Sequence, residues 1–388
     1  MQQKLMALAV AALASGAAFA QSNVTIYGTI DVGFSHLKEH QNKGVKNKNA
    51  INAGQSADSL IGFKGVEDLG NGNKALFVLE AGFQNDTGKQ NGDFLAEQAF
   101  LGLSGGWGTA IAGRLIAPRH GFLSAMDPFS AGTLGSYHNV FSDLNLRRLK
   151  ANPGVTPNVS AEASLADIHR VSNAVAYVSP SFGGFNITAA YATNGVGSEI
   201  SKKNDAKVCT VLPRYANGPL DVGVVYQQVK MDEAVTGVAK TDVKLKQWTA
   251  GAAYDFGVAK VSAFYDSFKI DAGNTAHTVY GIDGLKLKSW LLGVTMPYGK
   301  HSLRASYTQS KLNAAAFDGD AKARQWALGY GYSLSKRTSL YAAYADVKND
   351  KTHGYRRAAF LSDSTNDYGD AARGGYQKGF QFGLKHDF

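Results

Sequence analysis

Just after residue 20 the chain alternates apolar and polar residues with a period of two. Val24, Ile26 and Gly28 alternate with Thr25, Tyr27 and Thr29, and Val32 and Phe34 continue the pattern. Asp58 to Gly65 reads as a second strand, and Glu67 to Asn73 as a tight turn rich in Gly and Asn, which supply positive φ. Lys74 to Gln84 returns, with Leu76, Val78 and Glu80 set against Ala75, Phe77 and Leu79. Phe94 to Ser104 and Thr109 to Ala117 come next, joined by Gly105-Gly106-Trp107-Gly108. Alternation of this kind gives each strand two chemically different faces.

Two interleaved repeats organise the second half. One reads apolar-x-apolar-x-Tyr: Ile187/Ala189/Tyr191, Val222/Val224/Tyr226, Val261/Ala263/Tyr265, Leu303/Ala305/Tyr307 and Leu340/Ala342/Tyr344. In the last four, a lysine stands four residues on, at Lys230, Lys269, Lys311 and Lys348. The other reads basic-x-Trp-x-x-Gly: Lys246/Trp248/Gly251, Lys288/Trp290/Gly293 and Arg324/Trp326/Gly329. Tyr254, Met296 and Tyr332 come after these copies, and Phe380/Gly383 opens a degenerate one. Trp248 and Tyr254 are six residues apart, so they would be separated by roughly 20 Å along a strand. That suits two aromatic girdles around a tilted apolar band ~25 Å tall, with the lysines just beyond one girdle. A soluble β-sandwich turns its apolar face inward and needs no aromatic ring at both ends of each strand. The pattern therefore predicts an all-β, transmembrane, antiparallel up-and-down β-barrel of about sixteen strands. Its weakest strand lies near Lys207 to Tyr215, where Pro213 removes a ladder donor.

Pro118 to Ile168 breaks the alternation. A loop this long inside a folded domain is usually functional or disordered, and Phe122, Leu123, Met126, Phe129, Tyr137, Phe141 and Leu146 set it apart from a disordered linker and equip it to pack. The expectation is a third loop folded into the barrel, narrowing a water-filled pore.

The first twenty residues read as an export signal: Lys4, the apolar run Leu5 to Ala14, and the small-residue site Ala18-Phe19-Ala20, with cleavage before Gln21. The expected division is thus residues 1–20 as signal and 21–388 as one barrel domain. No later apolar run reaches the ~18 residues of a spanning helix, which leaves a closed barrel as the way through a membrane. Gly numbers 44 and Pro only 8, which fits many strands joined by tight turns. With one cysteine, Cys209, an intrachain disulfide is impossible. The formal charge of +9 suits anionic lipid or small anions, and the export signal argues against nucleic acid.

Several stretches resemble the outer-membrane general porins of β-proteobacteria. They are Val24-Thr25-Ile26-Tyr27-Gly28, Ile61 to Gly72, Leu101 to Thr109, Ser179 to Phe185 and the closing Gly383-Leu384-Lys385-His386-Asp387-Phe388. The likeness runs through essentially the whole mature chain. It implies a sixteen-stranded homotrimer whose third loop enters the pore, passing small hydrophilic solutes and anions by passive diffusion, with no turnover and no cofactor. It also implies that the terminal Phe388 is read by the outer-membrane assembly machinery.

If the Tyr parity faces lipid, then Thr188, Ala190, Gln227, Ser262, Asp266, Arg304, Ser306 and Thr308 face the lumen. Taking Ile61 and Phe63 outward leaves Leu60 and Lys64 inward. Taking Ile111 and Leu115 outward leaves Arg114 inward, and Val171, Val175 and Tyr177 outward leaves Arg170 inward. Cations lining a narrow pore draw anions, so a mild anion preference is expected. Leu60 and Ala176 stand where the resembling porins usually carry a basic residue, which thins the positive ladder. The loop's cations Arg119, Arg147, Arg148 and Lys150 match its anions Asp127, Asp143, Glu162 and Asp167 in number, and Asp127 or Asp143 is expected to face the wall arginines.

Other chemistry is weakly marked. His36-x-x-x-His40 has metal-like spacing but sits where a strand runs into a loop. Asp363, Asp367 and Asp370 crowd a polar loop, and no phosphate loop or nucleophile elbow is present. The expectation is no enzyme and no metal. A substrate-selective channel, or a plugged structural or adhesive barrel, is the alternative.

Overall fold

A computed structural model describes residues 23–38, 47–141, 168–195, 206–233, 241–272, 284–314, 319–349, 351–352, 355–356 and 377–388. The leader, Asp143, His40 and the Asp363, Asp367 and Asp370 cluster lie outside the described residues.

Sixteen strands form the wall. They are β1 (Asn23–Lys38), β2 (Leu60–Gly70), β3 (Asn73–Gln84), β4 (Gln98–Gly105), β5 (Gly108–Ile116), β6 (Arg170–Val178), β7 (Phe185–Ala192) and β8 (Ala206–Asn217), then β9 (Leu220–Glu233), β10 (Thr241–Asp255), β11 (Lys260–Ala272), β12 (Lys286–Tyr298), β13 (His301–Ala314), β14 (Gly319–Ser333), β15 (Thr338–Asn349) and β16 (Lys378–Asp387). Each pairs antiparallel with its neighbours in chain order. The ring closes because β1 pairs with β2 along Asn23–Thr29 and with β16 along Thr29–Lys38. Closure satisfies every wall strand on both edges, which hydrocarbon demands. The last residue completes the seam: Gly28 N–H donates to Phe388 O at 3.2 Å and Phe388 N–H to Gly28 O at 3.0 Å. A short extra strand, Lys48–Ala53, runs beside the upper half of β1.

The outer face obeys the repeats. Trp248, Tyr265, Tyr307, Trp326, Leu340, Phe380, Phe382 and Leu384 are exposed, and register puts Tyr226 opposite Trp248 and Tyr265 opposite Trp290. The Tyr of one repeat and the Trp of the other thus build a single girdle on the long-loop side; the Tyr226 and Trp248 rings lie 4.5 Å apart. Tyr254, Met296 and Tyr330 mark the short-turn side. Beyond the upper girdle, register sets Lys246 opposite Lys269 and Lys288 opposite Lys311. In β8, pairing to β9 is interrupted at Leu212 and Pro213, while pairing to β7 runs through Pro213. The proline lacks the N–H that one of its two neighbours would receive.

Parity fails on two adjoining strands. It assigns Ile111 and Leu115 on β5, and Val171 on β6, to lipid. Leu115 and Val171 instead belong to the buried inner cluster, and Ile111 packs against it. On β5 the small Ala110 and Ala112 take the exposed positions. On β6 the cause is a bulge: Asn173 has φ 51°, and the β5–β6 register slips between Gly113 and Leu115. An extra residue in one strand of a pair moves the residues beyond it to the other face. Val171 therefore points inward while Val175 is exposed. The inner face is also less uniformly polar than expected. Val229, Leu245, Phe268, Ile270, Leu287 and Leu312 are inward and buried on the loop side of β9 to β13.

Candidate functional site

The third loop enters the barrel as two helices, α1 (Pro118–Met126) and α2 (His138–Phe141). Pro118 at the first helical position starts α1, since proline has no N–H to leave unsatisfied there. Phe122, Leu123, Met126, Tyr137 and Phe141 are buried against wall residues Leu212, Val225, Ala253, Phe264 and Leu291.

The glycines of the Trp-x-x-Gly repeat explain how the helix docks. They sit on the parity opposite the tryptophans and form a smooth inner floor. A Cβ on Gly251 would lie 3.0 Å from the Phe122 ring. On Gly293 it would lie 2.3 Å from Pro128 Cγ, and on Gly329 2.6 Å from Phe129. Gly223 contributes in the same way under Phe122. The spacing is visible in the sequence, but its purpose appears only once the loop is in place.

Polar pins fix the loop laterally. Arg119 Nη2 donates to Asp266 Oδ1 at 2.8 Å and Arg119 Nε to Thr249 Oγ1 at 3.1 Å; both charged side chains are 1% exposed. Further along, Asn139 Nδ2 donates to Gln325 Oε1 at 2.8 Å, and Gln325 Nε2 donates to Gly135 O at 2.9 Å and Ser136 O at 3.0 Å. Leu134 N–H donates to Gln381 Oε1 at 3.1 Å. The first loop meets the third: Thr133 N–H donates to Gln55 O, and Asp31 holds this first-loop segment through Ser56 N–H at 2.8 Å and Ala57 N–H at 2.9 Å.

Asp127, which the sequence casts as a charge facing the wall arginines, is buried. It accepts from the N–H groups of Phe129, Ala131 and Tyr137 at 3.0, 3.1 and 3.3 Å. It therefore works first as the hub of the loop's own backbone. Burial pushes its carboxyl up to about 6 against the pull of those donors. Arg304, on the wall strand β13, feels its charge.

The remaining site residues have different surroundings. Arg170 is paired to Glu97 at 2.5 Å, with Asp58 at 3.7 Å. Arg114, on the irregular stretch of β5, donates to Ala96 O and to Ser172 Oγ at 2.7 Å. Lys64 stands over the Tyr27 ring at 4.7 Å. Arg304 donates to Ser302 Oγ at 3.4 Å, and no carboxylate lies within 4 Å of it among the described residues. The structure thus brings Arg170 together with Asp58 and Glu97, and Arg304 into the field of Asp127. It does not gather Lys64, Arg114, Arg170 and Arg304 into one cluster. Sequence reasoning misses Asp31, Glu97, the partnership of Arg119 with Asp266, and Glu80, which accepts from the Tyr27 hydroxyl and from Gln98 Nε2, each at 2.7 Å. An acidic residue on the inward parity of a strand is the available signal for Asp31, Glu80 and Asp266.

Comparison with known proteins agrees with this arrangement. A Gram-negative porin family model matches residues 7–352. The chain is 33% identical to outer membrane porin protein 32 of Delftia acidovorans, over all of both chains. It is 29% identical to an outer membrane porin protein of Bordetella pertussis, over 94% of this chain and 97% of the other. A solved anion-selective porin from Comamonas acidovorans superposes with a TM-score of 0.74 at 28% identity, covering 95% of this chain and all of that one. With a sixteen-strand closed wall, a loop docked in its lumen and these relatives, the chain belongs to the Gram-negative porin family, whose members form passive diffusion channels in the outer membrane.

Proposed function

We propose that this channel prefers small hydrophilic anions, and that Arg304 is the residue that most sets the preference. The observation that carries this reading is how the charges around the docked loop are paired among the described residues. Asp266 is neutralised by Arg119, Glu97 by Arg170, and Asp127 is turned into its own loop. Arg304, on β13, has no carboxylate within 4 Å among the described residues and keeps its charge on the wall. A cation in a narrow low-dielectric passage raises the local concentration of anions. Lys64, over the Tyr27 ring, and Arg114, which donates to Ser172 Oγ, extend the positive side of the field. The similarity to an anion-selective porin supports the same sign.

The test is the zero-current potential of the refolded protein in a planar bilayer under a KCl gradient. The wild type should give an anion-signed potential. Arg304→Ala should reduce the anion-to-cation permeability ratio roughly 2-fold or more, with single-channel conductance little changed. A cation-signed wild type, or an Arg304→Ala variant with an unaltered potential, would rule the assignment out.

The functional unit we propose is a homotrimer of the chain from Gln21 onward, assembled through recognition of Phe388. The outer faces of β2, β3 and β4 carry Ile61, Phe63, Phe77, Leu79, Leu101 and Leu103, with no lysine or arginine on that parity. The lysine belt that crosses β9 to β13 is thus missing from this sector. A wall facing another protomer needs no headgroup contacts, and an apolar patch of this breadth suits a subunit interface. A Leu101→Glu/Leu103→Glu variant should refold as monomer on a native gel. Continued migration as trimer would move the interface elsewhere on the wall.

A further inference from the structure

We propose that His120, His138 and His169 form a binding site for one divalent transition-metal ion of the zinc, nickel or copper kind. The three come from separate parts of the third loop: α1, the first residue of α2, and the residue before β6. One ring nitrogen from each lies within 4.8 Å of those of the other two. Ring centroids are 5.2 Å apart for His120 and His138, 4.5 Å for His120 and His169, and 4.4 Å for His138 and His169.

The chemistry of the set selects the ion. Three imidazoles, with no carboxylate joining them among the described residues, suit borderline ions and do not suit magnesium or calcium, which want oxygen. A tetrahedral ion with bonds of about 2.0–2.1 Å needs its nitrogens roughly 3.3 Å apart. The rings must therefore close by at most about 1.5 Å, a movement that side-chain rotation supplies. His120 is buried, His138 half-buried and His169 exposed. That gradient gives an entry path from the lumen and leaves a fourth position for water or an anion.

The surroundings hold the rings in place. Ala117 N–H donates to His169 O at 3.0 Å, tying the start of the loop to its end. The Tyr137 hydroxyl lies 3.5 Å from His120 Nδ1, a second contact of the sort that orients a ligating imidazole. His36, the histidine singled out by sequence spacing, is otherwise engaged: its Nδ1 contacts Asn49 Oδ1 at 2.5 Å and its ring lies against Phe380. A bound ion would join α1, α2 and the return to the wall, locking the loop that narrows the pore.

The assignment stands apart from the anion preference, because its readout is binding rather than flux. Zinc chloride and cobalt chloride are titrated into the full-length mature protein refolded in detergent. One zinc per chain should bind, unaffected by excess magnesium, and cobalt should develop the visible absorption of a tetrahedral site. His120→Ala and His138→Ala should each weaken zinc binding about 10-fold or more, while His301→Ala, far from the cluster, should not. His169→Ala, at an exposed position, covers the case in which the buried variants fail to fold. Equal zinc uptake by the wild type and His169→Ala, or no saturable uptake by a folded wild-type barrel, would overturn the site and leave the three rings as aromatic packing alone.

Discussion

Asp266→Asn should release the third loop from the wall while leaving the barrel closed. Asp266 accepts from Arg119 Nη2 at 2.8 Å, from Thr249 Oγ1 at 2.5 Å and from Gln247 Nε2 at 3.3 Å. Its side chain and that of Arg119 are both 1% exposed. Removing one charge of such a pair strands the other in a dry site and typically costs about 3–5 kcal/mol. The wall does not depend on this contact, since β11 keeps its full ladders to β10 and β12. The loss therefore falls on docking of the loop. Single-channel conductance should rise and become noisier, and protease should cut within 118–141, while heat-modifiable migration of the barrel persists. Arg119→Leu/Asp266→Leu should recover much of the docking, because two apolar groups leave no charge stranded. Unchanged conductance and unchanged protease resistance in Asp266→Asn would show that the pin does not hold the loop.

Gly293→Ala should weaken the same docking by a steric route. The new Cβ would sit 2.3 Å from Pro128 Cγ and 2.6 Å from Cδ. A proline ring has no far end to swing aside, so the loop itself must shift. Overpacking of this kind costs about 1–3 kcal/mol. Gly329→Ala meets Phe129 at 2.6 Å, and Phe129 also packs against Gly135. The double variant should exceed either single one, since both press on neighbouring residues of one turn. Thermal scans that monitor loop release, by protease cutting at increasing temperature, would register the order wild type, single, double. Equal release temperatures for all three would mean that the loop tolerates a filled floor. The contrast with Asp266→Asn separates the two devices: one strands a charge, the other removes room.

Metal at the histidine cluster would act on the same element. Zinc bound by His120, His138 and His169 should offset part of the loss in Gly293→Ala, because an ion that binds only the docked loop stabilises it by mass action.

The wall is legible in the chain. Period-two alternation is a local property, and hydrocarbon on one side with water on the other imposes it strand after strand. The outward Trp and Tyr, the lysines beyond them and the inward Asp266, Ser306 and Thr308 come from parity alone. The long break from Pro118 to Ile168 also marks the loop that enters the lumen. Parity fails where both faces of a strand are apolar, as in Ala110-Ile111-Ala112, because alternation then carries no sign. It fails again at the extra residue in β6, which sets Val171 and Val175 on opposite faces, and nothing in the alternation announces a bulge. It also cannot say what the inward residues meet. Asp127 reads as a pore-facing charge, yet its carboxylate gathers three N–H groups of its own loop. The pairing of Arg119 with Asp266, the seating of Pro128 on Gly293 and the meeting of three histidines join residues far apart in the chain. Such contacts depend on how a closed barrel sets opposite walls around a folded loop. The sequence by itself determined the barrel and its two faces, because those are written residue by residue. The constriction was decided by tertiary structure, because charge pairing, close packing and ligand geometry exist only between surfaces already brought together.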